Sequence, residues 1–266
     1  METPVIIKNK NRKQLIGILH FPKGKKNFPL VIFCHGFGGT KTRRKYVRLA
    51  RALEKAGIAS FRFDFEGCGD SEGDFEKMNV KKEVSDLDSV IKYFLKQKNI
   101  DKNKIAFLGN SLGAAVCVNY IIQNNFSARA IVFWAPALNE EKLFSTWRTK
   151  TNFKKWKRQG YLIVKEDKIG AIFLKENEKK NYSEFISQIK VPILIIHGEK
   201  DEAVPSNFSK KLVKDYKNIK LFSIPKANHE FEDYYSQQKL VNKTVNWFKK
   251  NINKNALDRN SHFVII

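Results

Sequence analysis

Apolar residues along this chain recur with two periods that alternate almost without a break. The run Leu30-Val31-Ile32-Phe33-Cys34 is continuously apolar, as a strand covered on both faces must be. Ile58 to Phe63, Ile105 to Leu108, Ala130 to Trp134, Ile193 to Ile196 and Leu221 to Ile224 read the same way, and Val5–Ile7 and Leu15–Leu19 give two earlier strands. Between them, Val80, Val84, Leu87, Ile91, Phe94 and Leu95 recur at three and four residues, the spacing of a helix with one apolar face. Further helices are predicted over 41–56 (closed by Gly57), directly after Ser111, near 206–216 and near 234–250. This alternation predicts an α/β fold: a doubly wound, mostly parallel sheet with helices on both faces and right-handed crossovers. A ligand site then belongs beyond the carboxyl ends of the strands.

One stretch departs from the rhythm. Between Pro136 and Val191 the chain is rich in Lys and aromatics, where plain alternation needs a single helix. Residues 138–190 are therefore read as a cap inserted into one domain spanning 1–266. The last residues, Ala256 to Ile266, end in Phe263-Val264-Ile265-Ile266, which either docks as an edge strand or hangs loose.

Composition narrows the class. No apolar run approaches the ~20 residues that span a bilayer, so no integral membrane association is expected. The net charge of +23, from 50 basic and 27 acidic residues, on its own points to a polyanionic partner. The basic residues are spread from Lys8 to Arg259 among abundant Asn and Ile, however, and no nucleic-acid partner is expected. A denser segment at 41–51 fits a helix with Val47, Ala50 and Leu53 inward and Arg44, Lys45, Arg48 and Arg51 on a solvated face. The N-terminal residues lack the pattern of a secretory signal, and three cysteines without a CxxC pair read as reduced, buried thiols. Both fit a cytoplasmic protein.

The chemistry centres on Gly109-Asn110-Ser111-Leu112-Gly113, placed between the strand ending at Leu108 and a helix beginning with Ala114-Ala115. Strand, sharp turn and helix form the setting of a nucleophile elbow, whose glycines let strand and helix approach while the serine hydroxyl projects into a cleft. A serine needs a base, and the base an orienting acid. Of five histidines, His20 falls in an early strand, His35 opens a glycine loop, His197 ends a buried strand and His262 sits in the tail. His229, in the loop between the last strand and last helix, is the candidate base. Glu199, Asp201 and Glu202 follow the strand before it, and Asp201, deepest in that turn, is the candidate acid. The order Ser111, Asp201, His229 is the one α/β-hydrolases use. His35-Gly36-Phe37-Gly38-Gly39 follows the third strand, and the backbone N–H groups of Phe37 and Leu112 are the expected oxyanion hole.

Through these motifs the chain resembles the α/β-hydrolase serine esterases from about residue 5 to 250. The similarity is greatest to the cinnamoyl and feruloyl esterase branch, related to monoacylglycerol lipases and serine aminopeptidase-like hydrolases. Asp64-Phe65-Glu66-Gly67-Cys68-Gly69-Asp70-Ser71-Glu72-Gly73 is similar to that branch's loop after the fourth strand, read as structural. The chain departs from the branch at Asn110 and Leu112, where histidine and glutamine are common. The resemblance implies hydrolysis of a small-molecule carboxylic ester through an acyl-enzyme, with no metal or cofactor. Lipase, thioesterase and peptidase activities use the same groups and stay open, as does a non-catalytic basic binding protein. Lys142 to Arg158 holds seven Lys or Arg and no acid, interleaved with Phe144, Trp147, Phe153 and Trp156. Either Trp147 and Trp156, with Phe37, line an acyl pocket, or the aromatics pack on the core while the cations face water.

Overall fold

The computed structural model describes residues 2–24, 27–139, 150–164, 167–173 and 182–253. Eight strands form one sheet: β1 (Glu2–Lys8), β2 (Gln14–His20), β3 (Phe28–Cys34), β4 (Ala59–Phe63), β5 (Ile100–Asn110), β6 (Ile131–Trp134), β9 (Ile193–Gly198) and β10 (Ile219–Ile224). Their spatial order is β1-β2-β4-β3-β5-β6-β9-β10. β1 and β2 pair antiparallel, β2 lies antiparallel to β4, and every later pairing is parallel. This is the α/β-hydrolase arrangement, with β3, β5, β9 and β10 ending along one edge.

The continuous apolar runs are explained by burial on both faces. Leu30 and Ile32 of β3 join Phe107, Ile131 and Ile193 in one core. That core is closed by α2 (Val80–Leu95) and α3 (Leu112–Asn124). Val31 and Phe33, pointing the other way, join Leu108, Val132 and Ile196 in a second core. The second is closed by α1 (Arg44–Lys55) and the C-terminal helix, here α6 (Tyr234–Ile252). Tyr46 of α1 stacks on Trp134 with centroids 5.8 Å apart, and Trp134 Nε1 donates to Thr244 Oγ1 of α6 at 2.9 Å. Asn79 and Asp233 cap α2 and α6 by accepting from Lys82 N and Ser236 N, both at 2.8 Å.

Two expectations about the 41–56 segment need correction. The helix starts at Arg44, because Lys41 is bound through both its backbone N–H and its ammonium to the buried Asp64 carboxylate, which holds 41–43 out of helical conformation. Lys45 does not face water. It is buried, with Tyr46, Leu49, Ala50 and Leu53, while Val47 is only half-buried. The physical reason is a carboxylate partner from a distant loop, described below.

Between β6 and β9 the chain leaves the sheet. It forms α4 (Lys150–Gln159), an antiparallel hairpin of β7 (Tyr161–Val164) and β8 (Asp167–Gly170), and a 3-10 helix at Tyr182–Gln188. The hairpin was not foreseen, since four-residue strands are too short to show a period. Its inner residues, Leu162 and Ile169, are paired and buried, whereas Ile163 is exposed. After β9, α5 (Asn207–Asp215) crosses to β10. Among the described residues, no helix is long and apolar enough to cross a membrane. Trp147 and the tail beyond residue 253 lie outside the described residues.

Candidate active site

Ser111 sits between β5 and α3 at φ 51°, ψ −117°, a conformation that a non-glycine residue adopts only when its surroundings enforce it. They do so through both backbone groups: Ser111 N–H donates to Trp134 O at 2.8 Å, and Ser111 O accepts from Ala114 N and Ala137 N at 3.1 and 3.0 Å. Gly113 is obligatory here, because a Cβ on it would stand 2.1 Å from Cys34 O, so helix α3 touches the backbone of β3.

The same contact places the His35-Gly36-Phe37 loop against the serine. A Cβ on Gly36 would lie 3.1 Å from that of Ser111. His35 sets the loop's shape: its Nε2 accepts from Phe65 N at 3.1 Å, which leaves Nδ1 to donate to Gly36 O at 2.8 Å. Burial holds its pKa below the usual histidine range, so the neutral form these bonds require is favoured. Leu112 is the first residue of α3, and its N–H is one of those a helix start cannot satisfy internally. Both Phe37 and Leu112 thus flank Ser111.

His229, from the loop between β10 and α6, bridges the remaining gap. Its Nε2 is 3.1 Å from Ser111 Oγ and its Nδ1 is 2.7 Å from Asp201 Oδ2. Asp201 is nearly buried, while Glu199 and Glu202 beside it are exposed. Burial alone pushes the Asp201 carboxyl up, but hydrogen bonds from His197, His229 and Val204 N, with the charge of His229, outweigh it and hold the group well below the usual carboxylate range. It is therefore ionised at any pH where the imidazole can act. The three residues proposed from chain order form one hydrogen-bonded line.

The sequence reading missed two contributors. His197, taken only as the end of a buried strand, places Nε2 3.0 Å from Asp201 Oδ2 and 2.9 Å from Val204 O, with Nδ1 2.8 Å from Ser209 Oγ. Both Nε2 neighbours are acceptors, so Nε2 carries a proton and donates. Gly198 is the second. A Cβ there would fall 2.3 Å from Ala227 O, so the Asp201 and His229 loops meet at this glycine. A histidine and glycine closing a buried strand just before the acid were the available signals.

Phe37 is half-buried, and its ring packs 5.3 Å from both Phe75 and Phe173. Phe173 comes from the sequence between 138 and 190 and lies against the loop beside Ser111. Trp156 of α4 is buried in the same core, and among the described residues its Nε1 has no acceptor.

A family model for serine aminopeptidase S33 hydrolases matches residues 25–180, and the chain belongs to that family of α/β hydrolases. It is similar to an uncharacterized 31.7 kDa protein of the traX-finO intergenic region of Escherichia coli, 30% identical over a 194-residue alignment that covers 66% of this chain and 65% of that protein. It is also similar to lysophosphatidylserine lipase ABHD12 of Danio rerio, 24% identical across 71% of this chain and 47% of the lipase. The chain thus spans from about half to just under two thirds of these relatives. Among solved structures, Est1E from Butyrivibrio proteoclasticus with ferulic acid bound superposes with a TM-score of 0.84 at 25% identity, over 94% of this chain and 100% of Est1E.

Proposed function

We propose that this protein hydrolyses carboxylic esters through an acyl-enzyme on Ser111. The observation that carries the reading is the unbroken line from Asp201 Oδ2 through His229 to Ser111 Oγ, at 2.7 and 3.1 Å. His229 Nε2 takes the Ser111 proton as Oγ attacks the ester carbonyl. The resulting oxyanion is held by the N–H groups of Phe37 and Leu112, and the imidazolium by ionised Asp201. Collapse breaks the bond to the alcohol oxygen, which leaves with the proton from His229. Water then repeats the sequence on the acyl-enzyme, releasing the acid and restoring Ser111.

An ester fits better than a peptide N-terminus. An aminopeptidase must hold a substrate ammonium, which calls for acids, and the sequence of 142–158 offers seven Lys or Arg and no acid. The same cations suit an acyl or alcohol part bearing negative charge, in line with the lysophosphatidylserine lipase relative. Phe37 and Trp156, whose indole N–H has no partner among the described residues, are the side chains we assign to the acyl pocket. Trp147 belongs to the same proposal on sequence grounds alone.

The test is hydrolysis of p-nitrophenyl esters and aminoacyl p-nitroanilides by the wild type and Ser111→Ala. Ester cleavage that Ser111→Ala abolishes is expected, with anilides cleaved at least 100-fold more slowly. Anilide cleavage exceeding ester cleavage, or equal ester rates in both proteins, overturns the reading.

A further inference from the structure

We infer that the ion pair of buried Lys45 with Glu230 is a positioning device for His229, clamping its loop to helix α1 and balancing the charge next to the imidazole. The inference rests on the hydrolase reading of the site and adds residues which that reading does not use. Lys45 is only 4% exposed, an unusual place for an ammonium, which leaves water only when it is paired. Its partner is the residue directly after His229. Lys45 Nζ donates to Glu230 Oε2 at 2.8 Å and lies 3.5 Å from Glu230 O, so it grips both the side chain and the backbone of residue 230.

The surroundings fit a device for holding that loop. Phe231, fully buried and at φ 52°, turns the chain immediately beyond the grip, and the Lys45 ammonium sits 6.0 Å from its ring and 5.8 Å from that of Tyr46. Tyr46 stacks on Trp134, whose carbonyl holds Ser111 N. The cation is therefore built into the same wall that fixes the nucleophile. On its other side the loop is tied by Lys200 N donating to Ala227 O at 3.0 Å. Besides Lys45, the segment from Asn228 to Phe231 is held by its own turn, Phe231 N to Asn228 O at 3.3 Å, by bonds between the Asn228 side chain and Glu232, and by the His229 bonds to Asp201 and Ser111 that the loop serves to position.

Charge gives the clamp a signature that packing alone lacks. Asp201 from the β9 loop, itself bound by His197, hydrogen-bonds His229, and Glu230 from its own loop acts on it by charge; Lys45 and Arg43 from the start of α1 act in turn on Glu230, Lys45 also on Asp201, while Glu232 of the same loop is exposed and bound to Asn228. Burial pulls the Lys45 ammonium below its usual range in spite of Glu230, and for Glu230 the attraction of Lys45, Arg43 and His229 outweighs the opposing effect of burial. Removing either partner leaves the other's charge uncompensated, with opposite consequences for the imidazolium.

The experiment compares wild type, Lys45→Met, Glu230→Gln and the double variant from pH 5 to 9. It reads kcat and KM for a p-nitrophenyl ester and the rate at which a fluorophosphonate modifies Ser111. Lys45→Met leaves Glu230 unopposed, favours the imidazolium and should move the acid limb of both profiles up by about half a unit. Glu230→Gln should move it down by a similar amount, and the double variant should return it to the wild-type position. Each single variant should lose about tenfold in kcat, with KM within about twofold, because the loop is held less well. Limbs that stay put, or that move in the same direction in both single variants, overturn the inference.

Glu230 is partly exposed, so Glu230→Gln supplies a folded variant even if Lys45→Met does not fold. If the wild type neither hydrolyses the ester nor reacts at Ser111, the hydrolase reading fails by itself. The NMR titration of the His229 imidazole in the same proteins then decides the charge claim by the same signs.

Discussion

Adding one methyl group at Gly198 should disable the site without touching any reacting atom. The Asp201 and His229 loops meet there, and a Cβ would stand 2.3 Å from Ala227 O and 2.8 Å from Asn228 O, both backbone atoms. Contacts of this kind are essentially never seen below 3.0 Å, so the two loops must part by at least about 0.7 Å. His229 spans that gap, with Asp201 Oδ2 at 2.7 Å on one side and Ser111 Oγ at 3.1 Å on the other, and cannot keep both distances. A misplacement near 1 Å costs on the order of 10²-fold, so kcat of Gly198→Ala should fall roughly a hundredfold, with KM little changed. Overpacking of this size should lower unfolding stability by about 1–3 kcal/mol, leaving a folded protein. Steady-state kinetics on a p-nitrophenyl ester, with urea unfolding of the same preparation, measure both. A folded variant retaining kcat within threefold of the wild type would refute the argument that these loops are in contact.

Three further expectations concern separate parts of the molecule. Asp86, buried beneath the Glu66 loop and bound to Asn9 Nδ2 and Glu66 N, is pushed up to about 6 by burial. The folded protein thus keeps a proton that the unfolded chain releases near pH 4, so this group's stabilisation is full below pH 4 and is lost as pH rises to 6. Asp86→Asn, which cannot ionise, should gain about 3 kcal/mol relative to wild type between pH 4 and pH 7 in urea titrations, and a constant difference would contradict this. His197→Leu should lower unfolding stability by about 2 kcal/mol and reduce kcat, because Asp201 Oδ2 loses one of its two imidazole partners; unchanged kinetics would show that His229 alone orients the acid. Trp156→Phe keeps the ring bulk but removes the indole N–H. It should selectively slow esters whose acyl part carries a hydrogen-bond acceptor, and an unchanged ester panel would remove Trp156 from the pocket.

Much of this was legible in the chain because burial writes itself into runs of residues. The strands buried on both faces, from Leu30–Cys34 to Ile193–Ile196, could be read directly, and their alternation with amphipathic helices specified the sheet. Ser111, Asp201 and His229 were legible because each sits at a strand end, in an order one fold imposes. Lys45 was not, because helical periodicity assigns a lysine to water unless a partner is known, and Glu230 lies 185 residues away. His197 was hidden for a related reason: strand burial explained it without reference to the carboxylate four residues on. The β7–β8 hairpin escaped because its strands are four residues each, too short for alternation to stand out.

The central claim is that Ser111 forms a covalent acyl intermediate within a chain that orients His229 through Asp201. Intact-protein mass spectrometry after rapid acid quench, with a p-nitrophenyl ester as acyl donor, tests it most directly. The expected result is an added mass equal to the acyl group, mapped to the peptide containing Ser111 and absent in Ser111→Ala. Turnover of the ester with the acyl group carried on another residue, or undiminished turnover by Ser111→Ala, would contradict it.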